Sequence, residues 1–116
     1  MTKSILVVDD DFDDATKTKK VLEKAKYDVQ TATNGAKALD MLDTHKFDLI
    51  LIDIRMPTLS GYDLLQLMRE RLNGSSKLIF VSVVPKKDVD MKDIDGFIQK
   101  PFSEKTLLAG IKKSLK

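Results

Sequence analysis

Acidic, hydroxyl and basic side chains follow four short apolar runs in this sequence of 116 residues. One run leads into Asp9 and Asp10, another into Asp53, and the last two into Ser82 and Lys100. Carboxylates that lie a few ångströms apart repel each other, and a hard divalent cation such as Mg²⁺ relieves that repulsion. A lysine ammonium and a hydroxyl group beside the metal would complete a site that positions and neutralises a transferring phosphoryl group. An aspartate in such a site can accept that group as an acyl phosphate.

The apolar runs predict the strands that must bring these side chains together. They are continuous and rich in β-branched residues, which is typical of strands buried on both faces. The predicted strands are residues 5–8, 49–52, 78–81 and 97–98, with a less apolar edge strand at 29–32. Because the carboxyl ends of parallel strands share one edge of a sheet, where such folds bind ligands, we expect the polar residues to meet there.

Segments with apolar residues at helical spacing separate the strands. Asn34 and Ser103 are predicted N-caps, and the Asn73–Gly74 pair predicts the end of the third helix. The fourth helical segment, residues 86–94, is polar and short. Alternation of strands and helices predicts an α/β fold, a doubly wound parallel sheet with helices on both faces. We expect one domain over residues 1–116.

The composition excludes several classes of protein. The formal charge is only +2, from 20 basic and 18 acidic residues, and does not suggest that this domain binds nucleic acid directly. The absence of cysteine excludes disulfides and thiolate metal sites, and no apolar run approaches the roughly 18 residues of a membrane span. We therefore expect a cytoplasmic protein without membrane association. The lysines of residues 17–26 are interpreted as a solvated helix face, with docking of an acidic partner as the alternative.

Four segments together resemble the successive motifs of response-regulator receiver domains of two-component systems. They are residues 4–11 (SILVVDDD), 53–61 (DIRMPTLSG), 80–82 (FVS) and 97–102 (FIQKPF). The resemblance covers essentially the whole chain. It implies a flavodoxin-like sheet of five strands in the order 2-1-3-4-5. It also implies a phospho-acceptor switch rather than an enzyme, although such domains promote their own phosphorylation and dephosphorylation.

The same resemblance implies a phospho-acceptor and a metal site. Asp53 corresponds to the phospho-acceptor. The implied ligands of Mg²⁺, or of Mn²⁺, are Asp10, Asp53 and the backbone carbonyl of Arg55, with Asp9 nearby. The implied phosphodonor is a sensor histidine kinase or a phosphotransfer protein.

The remaining implied roles concern the switch. Ser82 and Lys100 correspond to the hydroxyl and ammonium groups that bind the phosphoryl group, and Phe97 to an aromatic switch. The peptide bond between Lys100 and Pro101 corresponds to a cis peptide. The output partner is not identifiable, and the resemblance allows a monomer or a phosphorylation-dependent dimer.

The sequence departs from the family pattern after Ser82. The 18 positions from Ser82 to Lys100 are few for the family, which predicts a shortened fourth helix. Val83 is larger than the residue that usually occupies this position, and we expect it to narrow the access of small donors or attacking water to the phospho-acceptor. Arg55 and Val84 occupy the positions that tune dephosphorylation, and neither offers a group to orient water. We therefore hypothesise a slow intrinsic loss of phosphate.

Two other functions are alternatives to a phosphorylatable receiver. One is a binding module of receiver ancestry that no longer uses phosphate, which the complete set of polar residues disfavours. The other is a phosphohydrolase with an aspartate nucleophile, which requires a second acid two residues later. Arg55 occupies that position.

Overall fold

Five parallel strands form one sheet in the order β2-β1-β3-β4-β5 in the computed structural model, which describes residues 2–54, 60–92 and 94–115. The strands are β1 (Ser4–Val8), β2 (Asp28–Ala32), β3 (Leu49–Asp53), β4 (Lys77–Ser82) and β5 (Gly96–Gln99). Each agrees with a predicted strand to within one residue at either end. In register, Asp53 pairs with Val81, and Ser82 with Gln99. The carboxyl ends of the strands therefore lie along one edge, and the predicted fold is confirmed.

Four α-helices cover the sheet, namely α1 (Phe12–Lys24), α2 (Gly35–Leu42), α3 (Gly61–Leu72) and α4 (Glu104–Ser114). Asn34 and Ser103 are N-caps as predicted, and each side chain accepts a hydrogen bond from the backbone N–H three residues on. Asn73 ends α3 in the left-handed conformation, with φ of 49°. None of the described helices is long and apolar enough to cross a membrane.

The connection between β4 and β5 is shortened further than the sequence suggested. Its described residues contain one 3₁₀ turn, Lys86–Asp88, and no α-helix. The turn buries none of its own residues, and Val89 after it is buried. A segment with so few apolar side chains gains little from packing a full helix against the sheet, and Pro85 restricts the backbone where that helix would begin.

Two hydrophobic clusters cover opposite faces of the sheet because alternate strand residues point to opposite sides. Residues such as Leu6, Ile50 and Phe80 pack with α2 and α3. Residues such as Ile5 and Leu51 pack with α1 and α4. The central strands are buried on both sides, which fixes the positions of the residues at their ends.

Candidate functional site

Three carboxylates meet at the carboxyl edge of the sheet. Asp9 and Asp10 directly follow β1, and Asp53 is the last residue of the neighbouring strand β3. One oxygen of each carboxylate lies within 4.8 Å of an oxygen of the other two. Asp9 is buried, Asp53 is partly buried and Asp10 is exposed. The sequence prediction that these residues converge is confirmed.

Asp9 is held on both of its carboxylate oxygens. Its Oδ1 accepts a hydrogen bond of 3.0 Å from the backbone N–H of Asp11, and its Oδ2 accepts one of 2.8 Å from the Lys100 ammonium. Asp11 in turn caps α1. The start of α1 is therefore tied to the acidic cluster through Asp9.

Lys100 brings a positive charge to these carboxylates. Its Nζ lies 2.8 Å from Asp9 Oδ2, 3.6 Å from Asp14 Oδ2 and 4.0 Å from Asp53 Oδ2. Burial lowers the pKa of Lys100, but its hydrogen bond to Asp9 and the charges of Asp9, Asp53 and Asp14 outweigh burial and raise that pKa. Lys100 is therefore a stable cation within the acidic cluster.

The backbone around Lys100 joins β5 to β4. The Lys100 N–H donates a hydrogen bond of 2.8 Å to the carbonyl of Ser82, and the peptide bond between Lys100 and Pro101 is cis. The Ser82 side chain is fully buried, and its Oγ accepts a hydrogen bond of 3.0 Å from the Val84 N–H. Phe97 is partly buried and packs against the hydrophobic cluster on the α3 side.

Gly61 packs directly against the end of β3. A Cβ at this position would lie 2.6 Å from the Ile54 Cα and 2.7 Å from the Asp53 carbonyl oxygen. The Gly61 N–H donates a hydrogen bond of 2.9 Å to the Ile54 carbonyl. Gly61, the residue that ends the segment 53–61, is thus required because the backbone of Asp53 and Ile54 approaches it closely. Arg55, the predicted carbonyl ligand and tuning residue, lies outside the described residues.

A groove of about 740 Å³ opens beside Lys100, between α1 and the segment that joins β5 to α4. Its lining includes the apolar side chains of Val21, Val83 and Phe102. It also includes the lysines at positions 17, 20 and 24 on α1. The lysine-rich face of α1 therefore borders the groove beside Lys100.

Asp14 is the site residue that sequence reasoning missed. The structure places its carboxylate 3.6 Å from the Lys100 Nζ, and Asp14 also lines the groove. Its position in the first turn of α1, shortly after the Asp9–Asp10 pair, was the available signal.

The acidic cluster fits a hard divalent cation. Three carboxylates against one ammonium leave an excess of negative charge, and carboxylate oxygens are the ligands that Mg²⁺ prefers. The described part of the chain thus contains a cluster that could bind a metal at the edge where the fold binds ligands.

Comparison with known proteins identifies similar sequences. The family model of the response regulator receiver domain matches residues 5–112. The nisin biosynthesis regulatory protein NisR of Lactococcus lactis is 37% identical over 123 residues, covering all of this chain and 52% of NisR. The alkaline phosphatase synthesis transcriptional regulatory protein PhoP of Bacillus subtilis is 34% identical, covering all of this chain and 50% of PhoP. The chain spans about half the length of these relatives.

Solved structures show the same fold. The chemotaxis protein CheY4 of Vibrio cholerae superimposes with a TM-score of 0.91 at 27% identity, over 99% of this chain and 100% of CheY4. The response regulator TrrA of Thermotoga maritima, solved in complex with Mg²⁺ and BeF, gives a TM-score of 0.89 at 30% identity. That match covers 98% of this chain and 100% of TrrA.

Proposed function

The chain belongs to the family of response regulator receiver domains of two-component systems, and we propose that Asp53 is the residue on which it accepts a phosphoryl group. The observation that carries this proposal is the meeting of Asp9, Asp10, Asp53 and Lys100 at one edge of the sheet. Asp53 is the partly buried member of the carboxylate cluster, and its Oδ2 lies 4.0 Å from the Lys100 ammonium. The phosphodonor in this proposal is a sensor histidine kinase or a phosphotransfer protein.

The proposed metal ligands are Asp10, Asp53 and the backbone carbonyl of Arg55, with Asp9 adjacent. Bound Mg²⁺ or Mn²⁺ would supply positive charge against the oxygens of the transferring group. Asp10 is the exposed member of the cluster and remains open to solvent, whereas both oxygens of Asp9 already accept hydrogen bonds. The response regulator TrrA, which has a similar fold, was solved in complex with Mg²⁺ and BeF, which supports the proposal that this fold binds a metal.

The proposed transfer is a single displacement at phosphorus. A carboxylate oxygen of Asp53 forms the new P–O bond while the P–N bond of the donor phosphohistidine breaks, and the leaving imidazole nitrogen keeps the electron pair. Lys100 then pairs with a phosphoryl oxygen, because the incoming group carries more negative charge than the carboxylate it modifies. This chain contributes mainly positioning and charge neutralisation.

The proposed switch involves Ser82 and Phe97. The Ser82 hydroxyl now accepts a hydrogen bond from the Val84 N–H, and on turning toward Asp53 it would lose that donor and donate its own O–H to a charged phosphoryl oxygen. Phe97 lies on the neighbouring strand β5 and is only partly buried, which leaves it room to change position. A phosphoryl group that binds one arrangement better than the other shifts the population toward it.

The groove beside Lys100 is our proposed approach for the phosphodonor protein. Lysines of α1 line the groove, and so do the apolar side chains of Val21 and Phe102. A partner helix with an apolar stripe and acidic flanks would complement that surface. The output partner is not identified by any feature of the chain. We expect a cytoplasmic protein that is a monomer or dimerises on phosphorylation.

We also propose that the phosphorylated form loses phosphate slowly. Val84 is partly buried and packs against the hydrophobic cluster on the α3 side. Its side chain has no polar atom to orient an attacking water. The proposed companion, Arg55, is a cation rather than a general base. We expect a phosphate half-life much longer than seconds, measured by intact-protein mass spectrometry after removal of the donor. A half-life of seconds would contradict this proposal.

Phosphorylation with acetyl phosphate and Mg²⁺ tests the main proposal. We expect the wild-type chain to gain the mass of one phosphoryl group, and Asp53→Asn to gain none. Asp48→Asn is the matched control, since Asp48 immediately precedes β3 and Asp53 ends it. This control should still be modified. Absence of modification of the wild type by acetyl phosphate and by its cognate kinase would instead favour the binding module that does not use phosphate.

A further inference from the structure

The ion pair between Asp14 and Lys100 has no part in the transfer described above. The Asp14 Oδ2 lies 3.6 Å from the Lys100 Nζ, closer than the Asp53 Oδ2 at 4.0 Å. We propose that Asp14 is a positioning residue that holds the Lys100 ammonium on the α1 side of the site before phosphoryl transfer. Asp14 would thereby set how readily Lys100 moves to the group on Asp53. This inference rests on the proposed function and deepens it.

The backbone at Asp14 is positioned by a chain of hydrogen bonds that begins at Asp9. Asp9 accepts from the Asp11 N–H, and the Asp11 side chain accepts from the Asp14 N–H at 3.1 Å. The N-terminal turn of α1 is therefore held in position by the residue that also binds Lys100. Asp14 can act on Lys100 without further rearrangement of the backbone.

The carboxylates near the Lys100 Nζ, those of Asp9, Asp14 and Asp53, differ in how firmly they are held. Asp9 is almost fully buried and has a donor on each oxygen, so its bond to Lys100 is present whatever Asp14 does. Asp14 and Asp53 lie at longer distances and attract the same ammonium. A group that favours the resting position of Lys100 opposes its movement to the phosphoryl group, because a ligand shifts an equilibrium only by its difference in affinity for the two states.

The exposure of Asp14 limits the size of the effect. Its side chain is 48% exposed, whereas that of Lys100 is 14% exposed. Solvent screens such a pair, and measured exposed ion pairs correspond to changes of up to about fivefold in an equilibrium constant. Asp14 therefore adjusts the affinity for the phosphoryl group and does not decide whether it binds.

The test measures binding of beryllofluoride, a phosphoryl mimic, to the whole chain at saturating Mg²⁺ and low ionic strength. We expect Asp14→Asn to bind it about two- to fivefold more tightly than the wild type. Asp14→Glu, which keeps the carboxylate, should return the affinity toward the wild-type value. Rescue by the longer acid distinguishes attraction of Lys100 from a purely structural role.

Asp13→Asn is the matched control for charge. Asp13 lies in the same first turn of α1, is exposed, and forms no ion pair with any described residue. Both substitutions remove one negative charge, and both weaken the general repulsion of an anion. Only the difference between them reports on the ion pair.

A double-mutant cycle with Lys100→Met isolates the contact. In the Lys100→Met background, Asp14→Asn should change the affinity for beryllofluoride no more than Asp13→Asn does. Thermal unfolding of each variant checks that the fold is retained.

The outcomes separate this inference from the proposed function. If the wild type binds no beryllofluoride and accepts no phosphate, the proposed function fails and this inference fails with it. If the wild type binds beryllofluoride and Asp14→Asn changes the affinity by the same factor as Asp13→Asn, only the role of Asp14 is overturned. The role of Asp14 is also overturned if Asp14→Asn changes the affinity for beryllofluoride by the same factor in the wild type and in Lys100→Met.

Discussion

Aspartates lie at the amino edge of the sheet, where the strands begin, and at its carboxyl edge, where the strands end. Their interactions differ between the two edges. Asp48, just before β3, accepts a hydrogen bond of 2.8 Å from the Ser4 N–H at the start of β1. Asp95, just before β5, accepts one of 2.8 Å from the Leu78 N–H and pairs with Arg69 at 3.3 Å. At the carboxyl edge, the carboxylates of Asp9, Asp10 and Asp53 lie within 4.8 Å of one another, and the Lys100 ammonium lies within 4.0 Å of those of Asp9 and Asp53.

The difference separates acids that stabilise the ends of strands from the acids of the proposed site. At the amino edge each carboxylate accepts from a strand N–H that would otherwise lack a partner, so the acid stabilises the sheet. At the carboxyl edge the acids repel one another, and the fold tolerates this because buried strands hold them in place. Such a crowding of carboxylates suits the binding of a hard cation.

The largest expected effect tests how rigidly the carboxyl edge is held. Gly61→Ala should lower the free energy of unfolding by about 2–3 kcal/mol, because its Cβ would overlap the backbone of Asp53 and Ile54. Urea denaturation measures the change. Gly110→Ala is the control, since its Cβ would meet no backbone atom, only the Ile98 side chain, with Cδ1 at 3.0 Å and Cγ1 at 3.1 Å. An equal, small effect of both substitutions would show that the end of β3 can shift.

An intermediate effect distinguishes the two kinds of acid directly. Asp48→Ala should lower the free energy of unfolding by about 1–2 kcal/mol, since the Ser4 N–H loses its partner. Asp10→Ala should raise it by about 0.5 kcal/mol in the absence of metal, because one repelling charge is removed. Urea denaturation with and without Mg²⁺ checks both, and added Mg²⁺ should stabilise Asp48→Ala but not Asp10→Ala. Destabilisation by both substitutions without metal would contradict the comparison.

The smallest expected effect concerns pH. The raised pKa of Lys100 means that its ion pairs stabilise the folded chain fully below the ordinary pKa of 10.5. This contribution is lost as the pH rises through the higher pKa of the folded state. Above about pH 10.5 the unfolding free energy of the wild type should therefore fall more steeply than that of Lys100→Met. Parallel curves for the two proteins would show that the carboxylates do not stabilise the ammonium.

The strands and their ends were predictable from the sequence. Continuous runs of β-branched residues are a local signal of doubly buried strands, and parallel strands bring their ends to one edge wherever they occur. Asp9, Asp10, Asp53 and Lys100 were therefore identified as neighbours although Lys100 and Asp9 are 91 residues apart. The helix caps at Asn34 and Ser103 were predictable for the same reason, since a cap bonds within its own turn.

The tertiary structure alone decided what surrounds these residues. Whether Asp14 reaches Lys100 depends on how α1 packs beside the end of β5, and no local pattern encodes that distance. The length of the turn between β4 and β5 depended on how little apolar surface the segment could bury, rather than on its propensity. Residue type and spacing identified the charged groups of the site, but packing between distant elements decided which of those charges touch.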